Sequence, residues 1–416
     1  GLITPSLDEM IHVASEMQRL NFSIPLLIGG ATTSKAHTAV KIEENYRNDS
    51  VIYVPDASRS VSVVSLLLNN AQKAQYCLGL KQEYSNIRER ASKRASKLKL
   101  MSYADANAKK LTIDWTSFST PTPSFVGTRV FSDYPLIEII PYIDWTPFFV
   151  TWQLAGKYPA ILTDEKIGES ATDLFNDAQL LLKRIVDEKL LKAKAVIGFW
   201  PAKSKKCNDI EIFADKKCSK SIATLHFLRQ QMLKEPTLPN LSLADFIAPE
   251  EEPHLDYIGG FVVTSGVGAD ELAASYEAEN NDYYAILVKA LADRLAEAFA
   301  ERMHESVRRE YWGFMPMESL TNEDLIREKY QGIRPAPGYP ACPDHSEKNT
   351  LFKLLNAQSS IGVELTESFA MTPAATVSGL YFSHPQARYF SVGKISSEQV
   401  EDLASRKGMP LADLYR

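Results

Sequence analysis

Arginine, proline and glycine are concentrated in the stretch GIRPAPGYPACPDH, residues 332–345. Arg334 precedes three prolines and a glycine, and Cys342 and His345 follow. Because proline fixes φ and lacks a backbone N–H, this run cannot continue a helix or occupy a central strand. A guanidinium can fork onto a carboxylate. The stretch predicts a stiff, irregular loop whose unpaired carbonyls and arginine hold a small polar ligand, although a plain surface turn has the same composition.

A single acid lies among aromatic residues in YIDWTPFFVTWQLAGKYP. Asp144 is surrounded in sequence by Tyr142, Trp145, Phe148, Phe149 and Trp152. Such a cluster could bind an amine or a sulfonium cation through charge and ring faces. Alternatively, Asp144 caps the helix that follows and the aromatic residues form core.

Carboxylates repeat at four-residue spacing in the long helical pattern near residue 300. Asp293, Glu297 and Glu301 share one helix face, which suits acid/base chemistry or a solvated acidic stripe answered by Arg294. The seven histidines form no Ser/His/Asp, Cys/His or zinc-ligand pattern. We therefore assign no catalytic residue and no metal ligand, and expect a cofactor to carry any chemistry.

Two glycines end the short apolar run IPLLIGG, and PDASRS ends the next such run. Gly29 and Gly30 would let a ligand approach the backbone at a helix amino terminus. This is not the G-x-G-x-x-G fingerprint, and glycines are common at such turns. Parallel strands would bring both loops to one edge of a sheet.

The bulk composition bounds the class of protein. The 416 residues, 45% hydrophobic and 24% charged, are enough for two or three domains. A net charge of −6 argues against a nucleic-acid partner, and no apolar run is long enough to span a membrane. Four scattered cysteines indicate a reducing, cytoplasmic location without structural zinc.

The pattern divides the chain into three parts. Residues 1–80 alternate strands and helices, which predicts an α/β Rossmann-like fragment with a parallel sheet. Residues 81–96 read as a basic, solvated helical linker; a nucleic-acid surface would have only Tyr84 for stacking. Residues 97–416 predict a larger α+β domain with a mainly antiparallel sheet, including hairpins over 210–227 and 377–395, the second turning at Pro385 and Gln386.

The first residues suggest that the chain starts inside a domain. GLIT reads as a strand end, and Ser6 with Glu9 forms a capping box for a helix over about 7–20. We therefore expect the sequence to be the carboxyl-terminal part of something longer.

Several ordered blocks resemble cobalamin-dependent methionine synthases. RPAPGYPACPDHSEK, preceded by KYQGI, is similar to the activation-domain signature of that family. YIDWTPFF, VKALADRLAEAFAE, LTESFAM and SGLYFSHP resemble further blocks of the same domain, in the same order. GLITPSLDEM and IPLLIGGATTSKAHTAVKI are similar to the end of the cobalamin-binding domain.

The resemblance implies an enzyme that transfers a methyl group from 5-methyltetrahydrofolate to homocysteine through cobalamin. Its activation domain rescues cob(II)alamin by reductive methylation to methylcobalamin. The methyl group comes from S-adenosylmethionine, and the electron from flavodoxin or a flavoprotein methionine synthase reductase. The upstream domains of the same enzyme are further implied partners.

The resemblance also implies site residues. Asp144 would meet the amino end of S-adenosylmethionine and Arg334 its carboxylate, with Glu297 near the site. The remaining residues implied for this ligand are Ala336, Gly338, Tyr339, Tyr389 and Phe390, where Phe390 stands in place of a tyrosine of some relatives.

In the first part, Gly29, Gly30, Ala57 and Ser58 match loops that line the cobalamin nucleotide tail. The family's D-x-H-x-x-G segment is absent, as are the folate domain and the homocysteine module that holds zinc. We therefore expect this piece to bind S-adenosylmethionine but not to make methionine. The alternatives are a non-catalytic interaction module that clamps the cobalamin domain and docks the reductase, and a nucleotide-dependent α/β enzyme argued from GGATTS alone.

Overall fold

A computed structural model describes residues 5–30, 33–55, 57–97, 99–118, 120–206 and 208–414. The chain divides into two compact units. The first contains Gly1–Ser102, Met232–Glu235 and Ser396–Arg416, and the second contains Tyr103–Gln231 and Pro236–Ile395. The predicted strand at residues 1–4 lies outside the described residues.

The first unit begins with alternating helices and short strands. Its elements are α1 (Pro5–Arg19), β1 (Leu26–Ile28), α2 (Lys35–His37), β2 (Val51–Tyr53), α3 (Ala57–Leu68) and α4 (Asn70–Lys97). A π-helical turn, Thr38–Ile42, and a 3-10 turn, Glu43–Asn45, extend α2. β1 and β2 pair in parallel, which confirms the predicted parallel sheet. The basic residues 81–96 lie within α4.

The second unit contains nine described helices and eight described strands. In chain order they are α5 (Tyr103–Ala108), β3 (Gly127–Tyr134), α6 (Leu136–Ile139), α7 (Trp145–Thr151), α8 (Gly168–Asp187), β4 (Lys192–Ser204), β5 (Asp209–Phe213), β6 (Ser221–His226), β7 (Asp256–Val267), α9 (Ala269–Ala278), α10 (Asp282–Ser306), α11 (Asn322–Ile326), α12 (Glu347–Leu355), α13 (Ala357–Ile361), β8 (Glu364–Leu365), β9 (Met371–Thr372) and β10 (Thr376–Tyr381). The chain then returns to the first unit with α14 (Ser397–Lys407) and α15 (Leu411–Leu414).

A six-stranded antiparallel sheet organises the second unit. Its order is β10-β7-β4-β5-β6, and β3 pairs with β4 beside β5. Along β4, Ile197 and Phe199 pack with α8 and α10, whereas Val196 and Trp200 pack with α12 and α13. Helices therefore cover both faces, and the predicted α+β class with a mainly antiparallel sheet is confirmed.

The long helix agrees with its sequence pattern. Leu287, Leu291, Leu295, Phe299 and Met303, at four-residue spacing, are all fully buried along α10. A π-helical segment, Val307–Tyr311, follows the helix directly. Among the described helices, none combines the length and apolarity needed to cross a membrane.

The predicted hairpin over 377–395 is wrong, whereas the hairpin of β5 and β6 is confirmed. β10 pairs with β7, and residues 387–395 contain no strand. The outer edge of β10 is already bonded to the proline-rich loop: Phe382 pairs with Ile333, and Leu380 N–H donates to Pro335 O at 2.9 Å. No backbone ladder is therefore left there for a returning strand.

Candidate functional site

A cleft of about 300 Å³ opens between α7, α10 and the segment before the proline-rich loop. It brings together polar residues that are distant in sequence. Its lining residues are Tyr142, Asp144, Pro147, Arg294, Glu297, Ala298, Glu301, Asn322, Leu325, Ile326, Glu328, Tyr330 and Arg334. Four carboxylates and two guanidinium groups give this lining a formal charge of −2, which favours a cationic ligand.

Asp144 both caps a helix and lines the cleft. Its Oδ1 accepts a hydrogen bond from Thr146 N at 3.0 Å, at the amino terminus of α7. Trp145, Phe148 and Phe149 are buried core residues. The capping interpretation is therefore confirmed, and the cap itself holds the carboxylate at the cleft.

The helix α10 supplies Glu297 and Glu301 to the cleft. Asp293, one turn earlier, is not among the lining residues. Burial raises the pKa of Asp293, Arg294 opposes that rise and Glu297 adds to it. The three carboxylates of this helix face therefore do not act together. Glu297 and Glu301 line the cleft with Asp144, whereas Asp293 does not.

Arg334 lies against the Glu301 carboxylate in the cleft. Its Nη2 donates to Glu301 Oε2 at 2.7 Å, and its backbone N–H donates to the Tyr389 hydroxyl at 3.0 Å. Burial disfavours the charged guanidinium, but Glu301, Tyr330 and Tyr389 together outweigh burial, so the pKa of Arg334 lies above its usual range. Arg334 therefore stays a cation, with 20% of its side chain exposed.

The proline-rich loop is stiff, as predicted, but its carbonyls are not free. Pro335 O accepts from Leu380, Ala336 O accepts from Tyr339, and Pro340 O accepts from Val392. The prolines do lack donors of their own, but β10 and neighbouring turns supply them. The interpretation that unpaired carbonyls of this loop await a ligand is wrong for these three residues.

Gly338 sits in a position that no other residue type fits. Its φ is +96°, and a Cβ there would lie 2.6 Å from His345 Nδ1. His345 in turn is bonded through Nδ1 to Lys348 Nζ at 3.2 Å, and Lys348 donates to Phe369 O at 2.9 Å. The imidazole thus packs directly against the turn at Gly338 and is itself held in place by Lys348.

The predicted aromatic residues surround this loop in different ways. Tyr339 is 61% exposed, and partial desolvation together with Glu297 raises the pKa of its hydroxyl. The Tyr389 hydroxyl lies 3.3 Å from that of Tyr330, a residue of the cleft lining. Phe390 instead packs edge-on against Phe246 in the core. Ala336, Gly338, Tyr339, Tyr389 and Phe390 are not among the residues lining the cleft itself.

The residues implied for cobalamin lie in the first unit. Gly29 directly follows β1, where a Cβ would lie 2.9 Å from Val54 O, and Gly30 has a φ of +125°. Ala57 begins α3 and Ser58 follows, but their side chains are outside the described residues. Within the described ranges, no group of three or more His, Cys, Asp or Glu is placed to hold a metal ion.

Sequence reasoning missed Glu328 and Tyr330, which line the cleft from an irregular segment. It also missed the buried pair of Arg308 and Glu318 behind the cleft. The sequence did contain a signal for Arg308. It continues a series of polar residues at spacings of four, three and four, which begins with Glu297, Glu301 and His304. Such spacing places a polar stripe on one face of an otherwise apolar helix.

Residues 135–408, well over half of the chain, match the sequence profile of a family described as vitamin B12 dependent methionine synthase, activation domain. This chain belongs to that family. Among solved structures, a crystal structure of the MetH reactivation domain bound to AdoHcy is 49% identical, with a TM-score of 0.74. The similarity covers 76% of this chain and 96% of that chain.

The resemblance in the sequence is therefore confirmed for the methionine synthase activation domain. The chain represents a component of a cobalamin-dependent enzyme. The roles assigned to individual site residues, and the division at residues 80 and 96, stay predictions.

Proposed function

We propose that the cleft binds S-adenosylmethionine, and that the second unit thereby supports reductive reactivation of a cobalamin-dependent methionine synthase. One observation carries the proposal: Asp144, Glu297 and Arg334 come from three separate elements and line one cleft. The similar reactivation domain was solved with AdoHcy, the same ligand without its methyl group.

The charges of the cleft suit this ligand. Arg334 offers a fork to its carboxylate, and Asp144 with Glu297 offers negative charge to its ammonium group. The net negative lining also favours the sulfonium. Holding the ligand at both ends fixes the direction of its methyl group, which is how positioning accelerates an in-line transfer without a general base.

Cobalamin, when bound, supplies the nucleophile that accepts the methyl group. The glycines after β1 fit a close backbone approach, but Val54 O of this chain already fills the space beside Gly29. We therefore assign the residues of the cleft to the presentation of the methyl group, and the loops of the first unit to contacts with the nucleotide tail.

The same proposal includes the wider reaction of the family, methyl transfer from 5-methyltetrahydrofolate to homocysteine, for the whole enzyme in the cytoplasm. Flavodoxin or a flavoprotein reductase would deliver the electron. Family membership supports both statements. Sedimentation of the chain with reduced flavodoxin should show a complex. If the two proteins sediment independently at high concentration, flavodoxin is excluded as a partner of this chain.

The direct test is calorimetric titration of the chain and of Arg334→Ala with S-adenosylmethionine. We expect the substitution to weaken binding by more than about 1 kcal/mol, because it removes a charge-assisted hydrogen bond. Unchanged affinity would exclude Arg334 as the carboxylate partner.

The rival function, a module that clamps the cobalamin domain and docks the reductase, makes a different prediction. It requires no small ligand in the cleft. Equilibrium dialysis with labelled S-adenosylmethionine separates the two, since the rival predicts no retention by the unaltered chain.

A further inference from the structure

The polar face of α10 continues behind the cleft into the core. Glu301, His304 and Arg308 are all at least nine-tenths buried. Arg308 donates from Nε and Nη2 to Glu318, with distances of 2.6–3.0 Å, and Glu318 is 8% exposed. The cleft is therefore backed by a buried ion pair.

Glu301 lies between two arginines. Its Oε2 accepts from Arg334 Nη2 at 2.7 Å, and its Oε1 lies 4.0 Å from Arg308 Nη1. Arg308 is fully buried and already occupied by Glu318, whereas Arg334 reaches the cleft. Arg308 therefore acts on Glu301 through charge alone, since neither Glu301 Oε1 nor Arg308 Nη1 has a hydrogen-bond partner among the described residues, whereas Arg334 is hydrogen-bonded to Glu301.

His304 adds no third charge to this cluster. Its ring stacks on Tyr381 with centroids 5.4 Å apart and meets the Tyr330 ring edge-on at 4.8 Å. Burial, Arg308 and Arg334 lower the pKa of His304 well below its usual value. Glu301 is therefore the carboxylate that balances Arg334 from the core side.

The hydrogen bonds of Arg334 leave one end of its guanidinium open. Nη2 is committed to Glu301, and Nη1 bonds to none of the residues that the structure describes. Fixing an arginine side chain in one rotamer costs conformational entropy. Glu301 imposes that order before a ligand arrives, which lowers the entropic cost of binding.

We propose that Glu301 is a positioning residue that sets the selectivity of the cleft for ligands with a carboxylate, by holding Arg334 with Nη1 directed to that carboxylate. The inference rests on the proposed function. It assigns Glu301 no contact with the ligand, so its whole effect passes through Arg334.

The test compares S-adenosylmethionine with decarboxylated S-adenosylmethionine, which keeps the amine and the sulfonium. Calorimetric titrations use the full chain, Glu301→Gln, Arg334→Ala, the double variant and Glu310→Gln, a control at an exposed position of the following π-helical segment. For Glu301→Gln we expect about tenfold weaker binding of S-adenosylmethionine and no more than a twofold change for the decarboxylated ligand. Glu310→Gln should match the unaltered chain.

The double variant decides between positioning and direct contact. If Glu301 acts through Arg334, adding Glu301→Gln to Arg334→Ala should cost nothing further. A further loss in the double variant, or an equal loss of both ligands in Glu301→Gln, overturns the inference while leaving the proposed function intact. Absence of S-adenosylmethionine binding by the unaltered chain would overturn the proposed function itself.

A folding defect is recognised separately. Thermal unfolding of each variant is measured before titration. Should Glu301→Gln fail to fold, Glu301→Asp keeps the charge and withdraws it by one methylene, and it should lower the preference for the carboxylate-bearing ligand in the same direction. An unchanged preference in a folded Glu301→Asp overturns the inference.

Discussion

At the scale of single residues, the close packing of the His345 ring against Gly338 constrains the shape of the proline-rich loop. Gly338→Ala should destabilise the second unit by about 1–3 kcal/mol, because it imposes both a left-handed φ and a clash. We also expect S-adenosylmethionine binding to weaken more than tenfold. Urea unfolding and calorimetry measure the two effects.

The double variant Gly338→Ala/His345→Ala separates the causes. It removes the clash but keeps the unfavourable φ, so it should recover part of the stability and part of the binding. Normal binding by Gly338→Ala alone would show that the loop adapts and that its geometry is not required.

Tyr389 provides a milder test of the same loop. Its hydroxyl accepts the Arg334 backbone N–H, so Tyr389→Phe leaves that donor without its partner. We expect S-adenosylmethionine to bind several-fold more weakly, corresponding to about 1 kcal/mol. Phe390→Tyr is the matched control, because Phe390 packs towards Phe246. If only the control weakens S-adenosylmethionine binding, Phe390 and not Tyr389 is the residue on which binding depends.

Residue types near the cleft were predictable where the sequence carries a local signal. Asp144 precedes a helix, and its cap follows from that position alone. The pairing of Glu301 with Arg334 joins residues 33 positions apart, and no local pattern encodes it. The free-carbonyl interpretation of the loop was wrong largely for the same reason, since two of the three donors, Leu380 in β10 and Val392, are distant in sequence.

At the scale of elements, the apolar core face of α10 leads into a buried ion pair, formed by Arg308 of the following π-helical segment and Glu318. Removing one partner of a buried pair strands the other charge in a medium of low polarity. Glu318→Gln should therefore lower the free energy of unfolding of the second unit by about 3–5 kcal/mol. Chemical denaturation followed by tryptophan fluorescence measures it.

The matched double variant Arg308→Met/Glu318→Leu removes both charges. We expect it to be considerably more stable than Glu318→Gln, because no unpaired charge is left in the core. If the double variant is less stable than Glu318→Gln, the packing of these two side chains contributes more to stability than the pairing of their charges.

Elements with strong periodicity were predicted well, and the hairpin at the end of the chain was not. The spacing of Leu287, Leu291 and Leu295 reports directly on burial along one helix. The alternating residues around Pro385 also suit a strand, but strand formation needs a partner edge. Residues 333–335 already occupy that edge, a fact of tertiary structure.

At the scale of the whole molecule, buried histidines link stability to pH. His384 is 4% exposed, packs against Trp115 and Phe118, and burial lowers its pKa to about 4. Between pH 6.5 and 4 the unfolded chain therefore binds a proton that the folded chain excludes, so stability falls as pH falls. From pH 7 to 5 this one residue should cost about 2 kcal/mol.

The experiment compares unfolding curves at both pH values for the chain, His384→Gln and the exposed control His12→Gln. All five tryptophans lie in the second unit, so their fluorescence reports its unfolding. His384→Gln should lose less stability on acidification than the other two. An equal loss in all three would assign the acid sensitivity to other groups, such as His304.

The class of fold was predictable because the first part alternates strands with helices, whereas the second part intersperses strands and helices without a regular βαβ order. The strand order was not, because β7 pairs with β4 and β10 across long stretches of sequence. The domain limits at residues 80 and 96 stay a prediction.

The bonds between residues 333–335 and β10 also govern how chains meet one another. β10 is the last strand of its sheet, and an uncovered end strand invites pairing with strands of other molecules. Residues 333–335 of the proline-rich loop cover that edge, where they accept hydrogen bonds from the backbone N–H groups of Leu380 and Phe382. The proline-rich loop therefore also protects against edge-to-edge polymerisation, and a chain whose loop detaches should lose both the position of Arg334 and its solubility.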